Sequence, residues 1–565
     1  MKHRNLFYHI MLSLAIIFTT FCILSGESSA ALSDRIRAGL FYGSNALPSA
    51  NLANEVGSGY RFGYYDSAYT FIPLGTTEHQ KITVCKDANL YLSGGSFYET
   101  PPATSDRLIG AYHLQPAGEY ATYEEAKQAS AQYPYGYPAY IGGTYVVRFE
   151  FYSTDGNAQA DAAKFGDVQV VGPSTTCYTV VNTSTGDILF EFDAYGKACF
   201  AIEPDITGVE HPQTWFKGYC YRGNFQYNRR NGNDITVINI VDTEDYITGV
   251  LPYEFVCSGG IESLKAGTVA IRTFACASTK HSSLDFDVCT TTDCQVYRGV
   301  YTGKEAQQVE AAALATEGKC LYYNGKYIQA LFYAANGGAT EDAVNAWGSR
   351  YPYLIAQHDP YEDSISFSSK EWSYTVTPAQ VRSMLQAYGY SCSEIVSMEV
   401  TETTDVGNVN KVVIRDSAGK TITFSKDNVR MLQNISGVAY FSRRFQITPK
   451  YSGSQAPAPE VATEVSISNG SKVVQKEEFY AITSGGTVRI SGPVTVITAQ
   501  GHQTISGGGT VTEMTPTGDF IGWTISGRGF GHNIGLSQWG AYAMAAQGFT
   551  YDQILQFYYP GTTLT

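Results

Sequence analysis

Alternating apolar and polar residues between glycine-containing turns dominate the first third of the chain. Segments 60–65 and 82–85 show the two-residue period of a half-buried strand, and similar segments run from residue 35 to residue 108. The pattern resumes near residue 173. We therefore expect a β-rich unit over residues 31–108 and further strands beyond residue 172.

Residues 109–172 contain one two-part pattern twice. A strand-like stretch at 118–123 leads into a helix-like one at 124–129, and 146–154 leads into 158–164. This duplication resembles a SPOR domain, whose family binds peptidoglycan glycan that has lost its stem peptides. A generic α+β adaptor is the alternative.

Helical periodicity begins after a buried strand predicted at 235–241. Asp242 is a suitable N-cap for a helix that extends to Glu254, and a second helix with many small residues is predicted over 261–279. A third helix is expected at 305–317. Asn-Gly within residues 320–332 then predicts a hairpin.

A linker and an insert are predicted to interrupt the last part of the chain. Residues 449–459 have the Gly, Ser and Pro content of a linker, and 454–519 predict a β-rich insert. The chain resumes at 520–565 with a glycine-rich segment and an alanine-rich helix. The fold class predicted is α+β and multidomain, with β-rich N-terminal units preceding a mixed α+β domain at 173–453 that the insert divides from its C-terminal part.

Residues 1–30 have the features of an export signal. Lys2 and Arg4 precede an apolar run over 6–24, and Ser28 and Ala30 fit a cleavage site. We expect an extracytoplasmic protein, either secreted or tethered to the membrane through an uncleaved N-terminal anchor. Most of its cysteines would pair in an oxidising compartment.

Composition narrows the class of partner. The chain has 565 residues, 44% of them hydrophobic, and a formal net charge of −14. Without a basic patch, such a chain is unsuited to a polyanion, so no nucleic-acid partner is expected.

Glu254 is the carboxylate most suited to proton transfer. It follows Pro252 by two residues and stands between Tyr253 and Phe255. Aromatic neighbours partly desolvate a carboxylate, which raises its pKa and favours a general acid or base. A solvated loop residue or an ion-pair partner is the ordinary alternative.

Five separated segments resemble one family, the stage II sporulation protein D (SpoIID) group of peptidoglycan lytic transglycosylases, which includes LytB-type amidase enhancers. The matching segments are 244–254, 264–274, 293–297, 334–338 and 527–540. The resemblance implies that the domain at 173–453 and 520–565 is catalytic. Glycan strands of the cell wall would be the substrate, and a cell-wall amidase could act in sequence with it.

In that family the residue matching Glu254 is both catalytic acid and catalytic base. It would protonate the bridging oxygen of the bond after N-acetylmuramic acid and then take the proton of the same sugar's 6-hydroxyl, which leaves a 1,6-anhydro end. Arg272 and Tyr353 match other functional positions. Arg272 would orient the carboxylate or bind the lactyl group, with a structural ion pair as the alternative.

Four further residues match positions that the resemblance assigns to substrate binding. Glu362 stands where relatives often have aspartate, and His532, Ser537 and Gln538 lie in the glycine-rich closing segment.

One histidine and two cysteines, His281, Cys289 and Cys294, lie within fourteen positions. Three protein ligands with an open position suit zinc, and some relatives bind zinc through a similar set. A disulfide between Cys289 and Cys294 is the alternative.

The sequence thus predicts a lytic transglycosylase acting on peptide-stripped glycan, in sporulation or wall remodelling. Two rivals stay open. One is a non-catalytic glycan-binding amidase enhancer, and the other is a zinc hydrolase that uses a metal-bound water.

Overall fold

The computed structural model describes residues 34–209, 211–230, 232–452 and 518–565, with four short strands between residues 479 and 505. The described residues form two compact units. The first contains the described residues up to Phe332, Pro352–Leu354 and Gly535–Thr565, and the second contains Tyr333–Tyr351 and the described part of Ile355–Ile534. The predicted leader and much of the predicted insert lie outside the described residues.

The described residues form both helices and several sheets whose strands are mostly antiparallel, which confirms the predicted α+β class. The α-helices of the described residues are α1 (Tyr123–Ser130), α2 (Asp155–Ala162), α3 (Thr243–Glu254), α4 (Ile261–Ala277), α5 (Ala306–Ala315), α6 (Ala343–Trp347), α7 (Pro378–Ala387), α8 (Gln538–Ala546) and α9 (Tyr551–Tyr558).

The strands fall into two groups along the chain. Those up to residue 242 are β1 (Arg35–Phe41), β2 (Ser49–Val56), β3 (Tyr60–Tyr65), β4 (Phe71–Thr77), β5 (Lys81–Lys86), β6 (Leu90–Ser93), β7 (Ser96–Tyr98), β8 (Arg107–Ile109), β9 (Tyr112–Pro116), β10 (Tyr137–Ile141), β11 (Thr144–Tyr152), β12 (Val168–Val171), β13 (Tyr178–Asn182), β14 (Ile188–Asp193), β15 (Phe200–Pro204), β16 (Gln213–Phe216), β17 (Tyr219–Tyr221), β18 (Asn224–Arg229) and β19 (Ile235–Asp242). Those beyond it are β20 (Val288–Cys289), β21 (Leu321–Tyr323), β22 (Lys326–Tyr327), β23 (Phe332–Tyr333), β24 (Glu371–Val376), β25 (Ile395–Thr403), β26 (Val409–Asp416), β27 (Thr421–Ser425), β28 (Phe445–Tyr451), β29 (Phe479–Thr483), β30 (Gly486–Ile490), β31 (Val494–Thr498), β32 (Gly501–Ile505), β33 (Phe520–Arg528), β34 (Leu536–Ser537) and β35 (Thr563–Leu564).

Two large sheets dominate the first unit. Their strand orders are β12-β9-β11-β10-β14-β13-β5-β2-β16-β17 and β20-β1-β19-β18-β15-β3-β4. Strands from before residue 108 therefore share both sheets with strands from beyond residue 172. The boundaries predicted at 108 and 172 do not separate sheets, because a local pattern carries no information on which distant strands pair.

The predicted duplication is present as a β-α-β-β-α-β module, β9-α1-β10-β11-α2-β12, at one end of the ten-stranded sheet. Its strand order β12-β9-β11-β10 is that of the split βαβ arrangement, with antiparallel neighbours. The strand before α1 is Tyr112–Pro116 rather than the predicted 118–123. Thr122 and Glu125 instead form a capping box that starts α1.

Helices α3 and α4 occur as predicted and are closely packed. The Asp242 carboxylate caps α3 by accepting the Glu244 and Asp245 N–H groups at 2.8 and 3.4 Å. On α3, a Cβ at Gly249 would lie 2.5 Å from the Gly299 carbonyl oxygen and from the Tyr297 ring. On α4, a Cβ at Gly267 would lie 2.9 Å from the Phe255 ring. Small residues therefore set the close approach of these helices to their neighbours.

The predicted hairpin is shorter than expected. Asn324 and Gly325 have φ of 50° and 73° and turn β21 into β22, which ends at Tyr327. Residues 328–331 then leave the sheet.

An apolar core lies within the second unit. Strands β24, β33 and β28 form one three-stranded sheet, and β25, β26 and β27 form another. Trp523 and Ile525 of β33 are buried with Met398 and Val412 in this core. Within the predicted insert, β29 pairs with β30 and β31 with β32, as two hairpins.

Every helix in the described part of the chain falls short of the length and apolarity needed to cross a membrane.

Gly249→Ala tests the close packing of α3. The added Cβ would overlap the backbone oxygen of Gly299, which cannot rotate away, so we expect the free energy of unfolding to fall by about 1–3 kcal/mol. Urea denaturation measures this change. The matched control is Gly156→Ala in α2, where a Cβ meets nothing within 4 Å and a gain of about 0.5–1 kcal/mol is expected. Equal effects of both substitutions would contradict the packing account.

Candidate active site

Glu254 is the last residue of α3, and the local sequence explains why the helix ends there. Phe255 adopts an extended conformation with φ of −118° and ψ of 152°, and its N–H donates to the Leu251 carbonyl oxygen. The Phe255 ring is buried between α4 and Phe332. This buried anchor holds the Glu254 side chain at a half-buried position.

Two neutral donors face the Glu254 carboxyl group. The Val296 N–H donates to Oε1 at 2.6 Å, and the Gln538 amide nitrogen lies 3.5 Å from Oε2. Burial raises the pKa of Glu254 above its usual value, while both donors lower it in part. The predicted desolvation is therefore present, and the group is suited both to giving and to accepting a proton.

Arg272 is paired with Glu244, not with Glu254. Its Nε and Nη2 atoms lie 2.8 and 2.5 Å from the two Glu244 oxygens, and its Nη1 donates to the Lys319 carbonyl oxygen at 3.0 Å. Arg272 is 0% exposed. The structure therefore has the ion pair that the sequence left open as the alternative, placed in the core. It joins α4 to the first turn of α3.

His281, Cys289 and Cys294 come together, and Asp293 joins them. His281 Nε2 lies 3.3 Å from Cys294 Sγ and 3.7 Å from Asp293 Oδ2, which is 3.9 Å from Cys289 Sγ. Donors bound to a tetrahedral zinc lie roughly 3.3–3.8 Å from one another. The ligand atoms of all four residues lie within 4.8 Å, so the donor set fits a zinc ion.

The surroundings hold this cluster in place. Cys289 belongs to β20, which pairs in parallel with β1, and the His281 ring stacks on Phe286 at 4.8 Å. A hydrogen bond from the Cys294 thiol lowers the pKa of Cys289, and the pKa of Cys294 rises in consequence. One thiolate is thus already stabilised, as metal binding requires.

Tyr353, Ser537 and Gln538 also belong to the first unit. The Tyr353 hydroxyl accepts the Gln329 N–H at 3.1 Å, and the residue is 7% exposed. Ser537 is buried, and its hydroxyl caps α8 by accepting the Gly540 N–H at 3.0 Å. Ser537 thus has a structural role as a helix cap, and the Gln538 amide nitrogen lies 3.5 Å from Glu254 Oε2.

Glu362 and His532 belong to the second unit. Glu362 is 2% exposed and accepts the N–H groups of Asn336 and Gly337 at 2.7 and 2.8 Å. It therefore holds the Asn-Gly-Gly turn of its own unit, and its predicted contact with a sugar stays a prediction. His532 is half-buried, and its ring lies 5.2 Å from that of Tyr333.

Two groups of the site were not predicted from the sequence. The Val296 donor is a main-chain group, which a search for functional side chains overlooks. Asp293 directly precedes Cys294, and its carboxylate beside two cysteines was the available signal for a fourth metal donor.

Comparison with known proteins gives one family and several relatives. Residues 231–323 match the SpoIID family, described as Stage II sporulation protein. A Bacillus subtilis protein named amidase enhancer is 31% identical over 56% of this chain, but the match spans only 40% of that protein's length. An uncharacterised protein of Brachyspira hyodysenteriae is 28% identical over 61% of this chain and 73% of its own. Stage II sporulation protein D of Bacillus subtilis is 24% identical over 58% of this chain and 75% of its own.

The raised pKa of Glu254 predicts a pH-dependent effect of Glu254→Gln on stability. A carboxyl group whose pKa is higher in the folded state stabilises the fold fully at low pH, and that stabilisation is lost as the pH rises through the folded pKa. We therefore expect Glu254→Gln to gain unfolding free energy relative to wild type between about pH 4 and pH 8. Urea denaturation across this range measures the difference.

Glu305→Gln provides the control of opposite sign. A hydrogen bond from the Tyr301 hydroxyl lowers the pKa of Glu305, so its stabilisation is present at high pH and lost as the pH falls. This variant should lose stability relative to wild type as the pH rises. A pH-independent difference for Glu254→Gln would show that its carboxyl group is not desolvated in solution.

Proposed function

We propose that the chain is a peptidoglycan lytic transglycosylase, since its residues 231–323 match the SpoIID family of stage II sporulation proteins. The observation that carries the proposal is Glu254, a half-buried carboxyl group with a raised pKa whose two polar neighbours are uncharged. Such a group holds its proton to a higher pH than an exposed carboxyl group does, and it is still open to a substrate.

The proposed reaction needs only this one carboxyl group. Protonated Glu254 donates its proton to the bridging oxygen of the bond after N-acetylmuramic acid. The resulting carboxylate takes the proton of the same sugar's 6-hydroxyl as that oxygen closes on the anomeric carbon. No water has to be activated, unlike in the two-carboxylate glycoside hydrolases. The Val296 N–H would keep the carboxylate in place during both transfers.

In this proposal Arg272 positions the helix that carries Glu254 and does not contact the substrate. Its ion pair with Glu244 joins α4 to the beginning of the helix that ends in Glu254. Tyr353 similarly anchors the chain at Gln329.

We also propose zinc as a structural ion. His281, Cys289, Asp293 and Cys294 would hold it, and zinc bound by such donors cross-links a loop. That loop precedes Val296, so the ion would steady the donor to Glu254. With four protein ligands a tetrahedral site has no position for a reactive water, which weighs against the zinc-hydrolase alternative.

The proposal includes the location of the reaction and the state of the glycan substrate. An extracytoplasmic location at the cell wall, released or tethered by the N-terminus, would follow from the export signal predicted at residues 1–30. The β-α-β-β-α-β module fits the proposed SPOR-like binding of peptide-stripped glycan. Such strands would require prior action by a cell-wall amidase.

A second candidate function is amidase enhancement without catalysis, which the name of the Bacillus subtilis relative favours. It predicts that Glu254→Gln increases the release of stem peptides by a partner amidase as much as wild type does. Loss of that increase in the variant would favour a catalytic contribution.

Mass spectrometry of peptide-free glycan tests the proposed reaction. Wild type should yield 1,6-anhydro ends, and Glu254→Gln should lower their formation at least about 100-fold, since it removes the acid and base. Glu310→Gln, an exposed glutamate on α5, should retain the wild-type rate. Reducing ends from wild type, or unchanged yields from Glu254→Gln, would refute the transglycosylase.

Elemental analysis tests the zinc. Wild type should purify with about one zinc per chain, and Cys294→Ser and Asp293→Asn should each lower the zinc content, because a tetrahedral ion needs all four donors. Cys392→Ser, which changes a cysteine of the second unit, should leave it unchanged. Equal zinc in wild type and Cys294→Ser would contradict the assignment.

A further inference from the structure

An exposed arginine stands between two exposed tyrosines beside Glu254. The Arg298 guanidinium carbon lies 5.1 Å from the ring centre of Tyr253 and 5.6 Å from that of Tyr219. Tyr253 and Tyr219 are 36% and 38% exposed, and Arg298 is exposed as well. We call Tyr219, Arg298 and Tyr253 the arginine platform.

The backbone fixes the arginine platform close to the carboxyl group. Tyr253 directly precedes Glu254, and Arg298 follows the Val296 donor by two residues. The Arg298 N–H donates to the Gly249 carbonyl oxygen at 3.2 Å, and the Val300 N–H donates to that of Cys220 at 2.7 Å. The segment is therefore held both to α3 and to β17, which carries Tyr219.

The charge of Arg298 is not neutralised within the described residues. Its side chain has no ion pair or hydrogen bond there, although the chain as a whole has a net charge of −14. Contact with two rings restricts the guanidinium, and its N–H groups are not used by any described side chain. Such a group is preorganised to bind a carboxylate through two parallel hydrogen bonds.

We infer that the arginine platform is a binding subsite for the carboxylate-bearing sugar of the glycan, with Arg298 on the lactyl carboxylate and the two tyrosines against sugar faces. This inference rests on the proposed function. Aromatic faces contact the apolar faces of pyranose rings, and peptide-free glycan presents a free carboxylate on every second sugar. The platform thus selects strands from which the stem peptides have been removed.

Binding to the Glu254→Gln protein tests the subsite without cleavage. The ligands are peptide-free glycan and the same glycan with its carboxylates converted to methyl amides. Adding Arg298→Gln should weaken binding of the native glycan roughly tenfold, as expected for a hydrogen bond to a charged group, and leave binding of the amidated glycan unchanged. Adding Arg382→Gln, an exposed arginine of α7, should change neither affinity. Adding Tyr219→Ser should weaken the binding of both the native and the amidated glycan.

Several outcomes would overturn the inference. The first is that native glycan binds equally well to Glu254→Gln with and without the added Arg298→Gln. The second is that Arg298→Gln lowers the affinity for both glycans equally. The third is that the Glu254→Gln protein shows no measurable binding. An equal loss with a lowered Tm would identify Arg298 as a structural residue. Arg298-dependent binding without anhydro products from wild type would refute the transglycosylase alone, and cleavage without an Arg298 effect would refute the subsite alone.

Discussion

The helical layer of the first unit depends on the ion pair between Arg272, which is buried, and Glu244, which is half-buried. A guanidinium without exposed surface must be neutralised and hydrogen-bonded, and here both Glu244 oxygens and the Lys319 carbonyl oxygen serve that purpose. Removing Glu244 would leave the Arg272 charge buried without its ionic partner, which is strongly destabilising. The pair therefore fixes the relation between α3 and α4. The position of Glu254 follows from that relation.

Unlike Arg272, Glu254 has no charged hydrogen-bond partner among the described residues. Its polar neighbours are a main-chain N–H and a side-chain amide, so no fixed charge determines its protonation. Burial raises its pKa, and the donors limit the rise. A group balanced in this way can change its protonation state twice in one reaction cycle. An arginine at the same distance would have held it permanently ionised.

Sequence patterns predicted what is local and missed what joins distant segments. Asp242, the periodicity of 261–279 and the Asn-Gly turn each act within a few residues, so α3, α4 and the β21–β22 turn were predictable. The gathering of His281, Cys289 and Cys294 was expected from their nearness in sequence together with the family resemblance. The partner of Arg272 could not be predicted, because Glu244 lies on another helix and many acids were available. The sheets differ from the predicted units for the same reason.

The pairing of β1 with two strands that are distant in sequence has a consequence for the order of folding. This strand pairs with β19 on one side and with β20 on the other, so Ala38 and Gly39 lie beside Val288 and Cys289. The seven-stranded sheet cannot close until the chain as far as Cys289 is available, and contacts of such long range form slowly. Local pairs such as β3–β4 can form early, whereas β1 gains its second neighbour only when the chain has reached Cys289. Cys289 therefore reaches its place beside His281 only when the two ends of this long stretch have met.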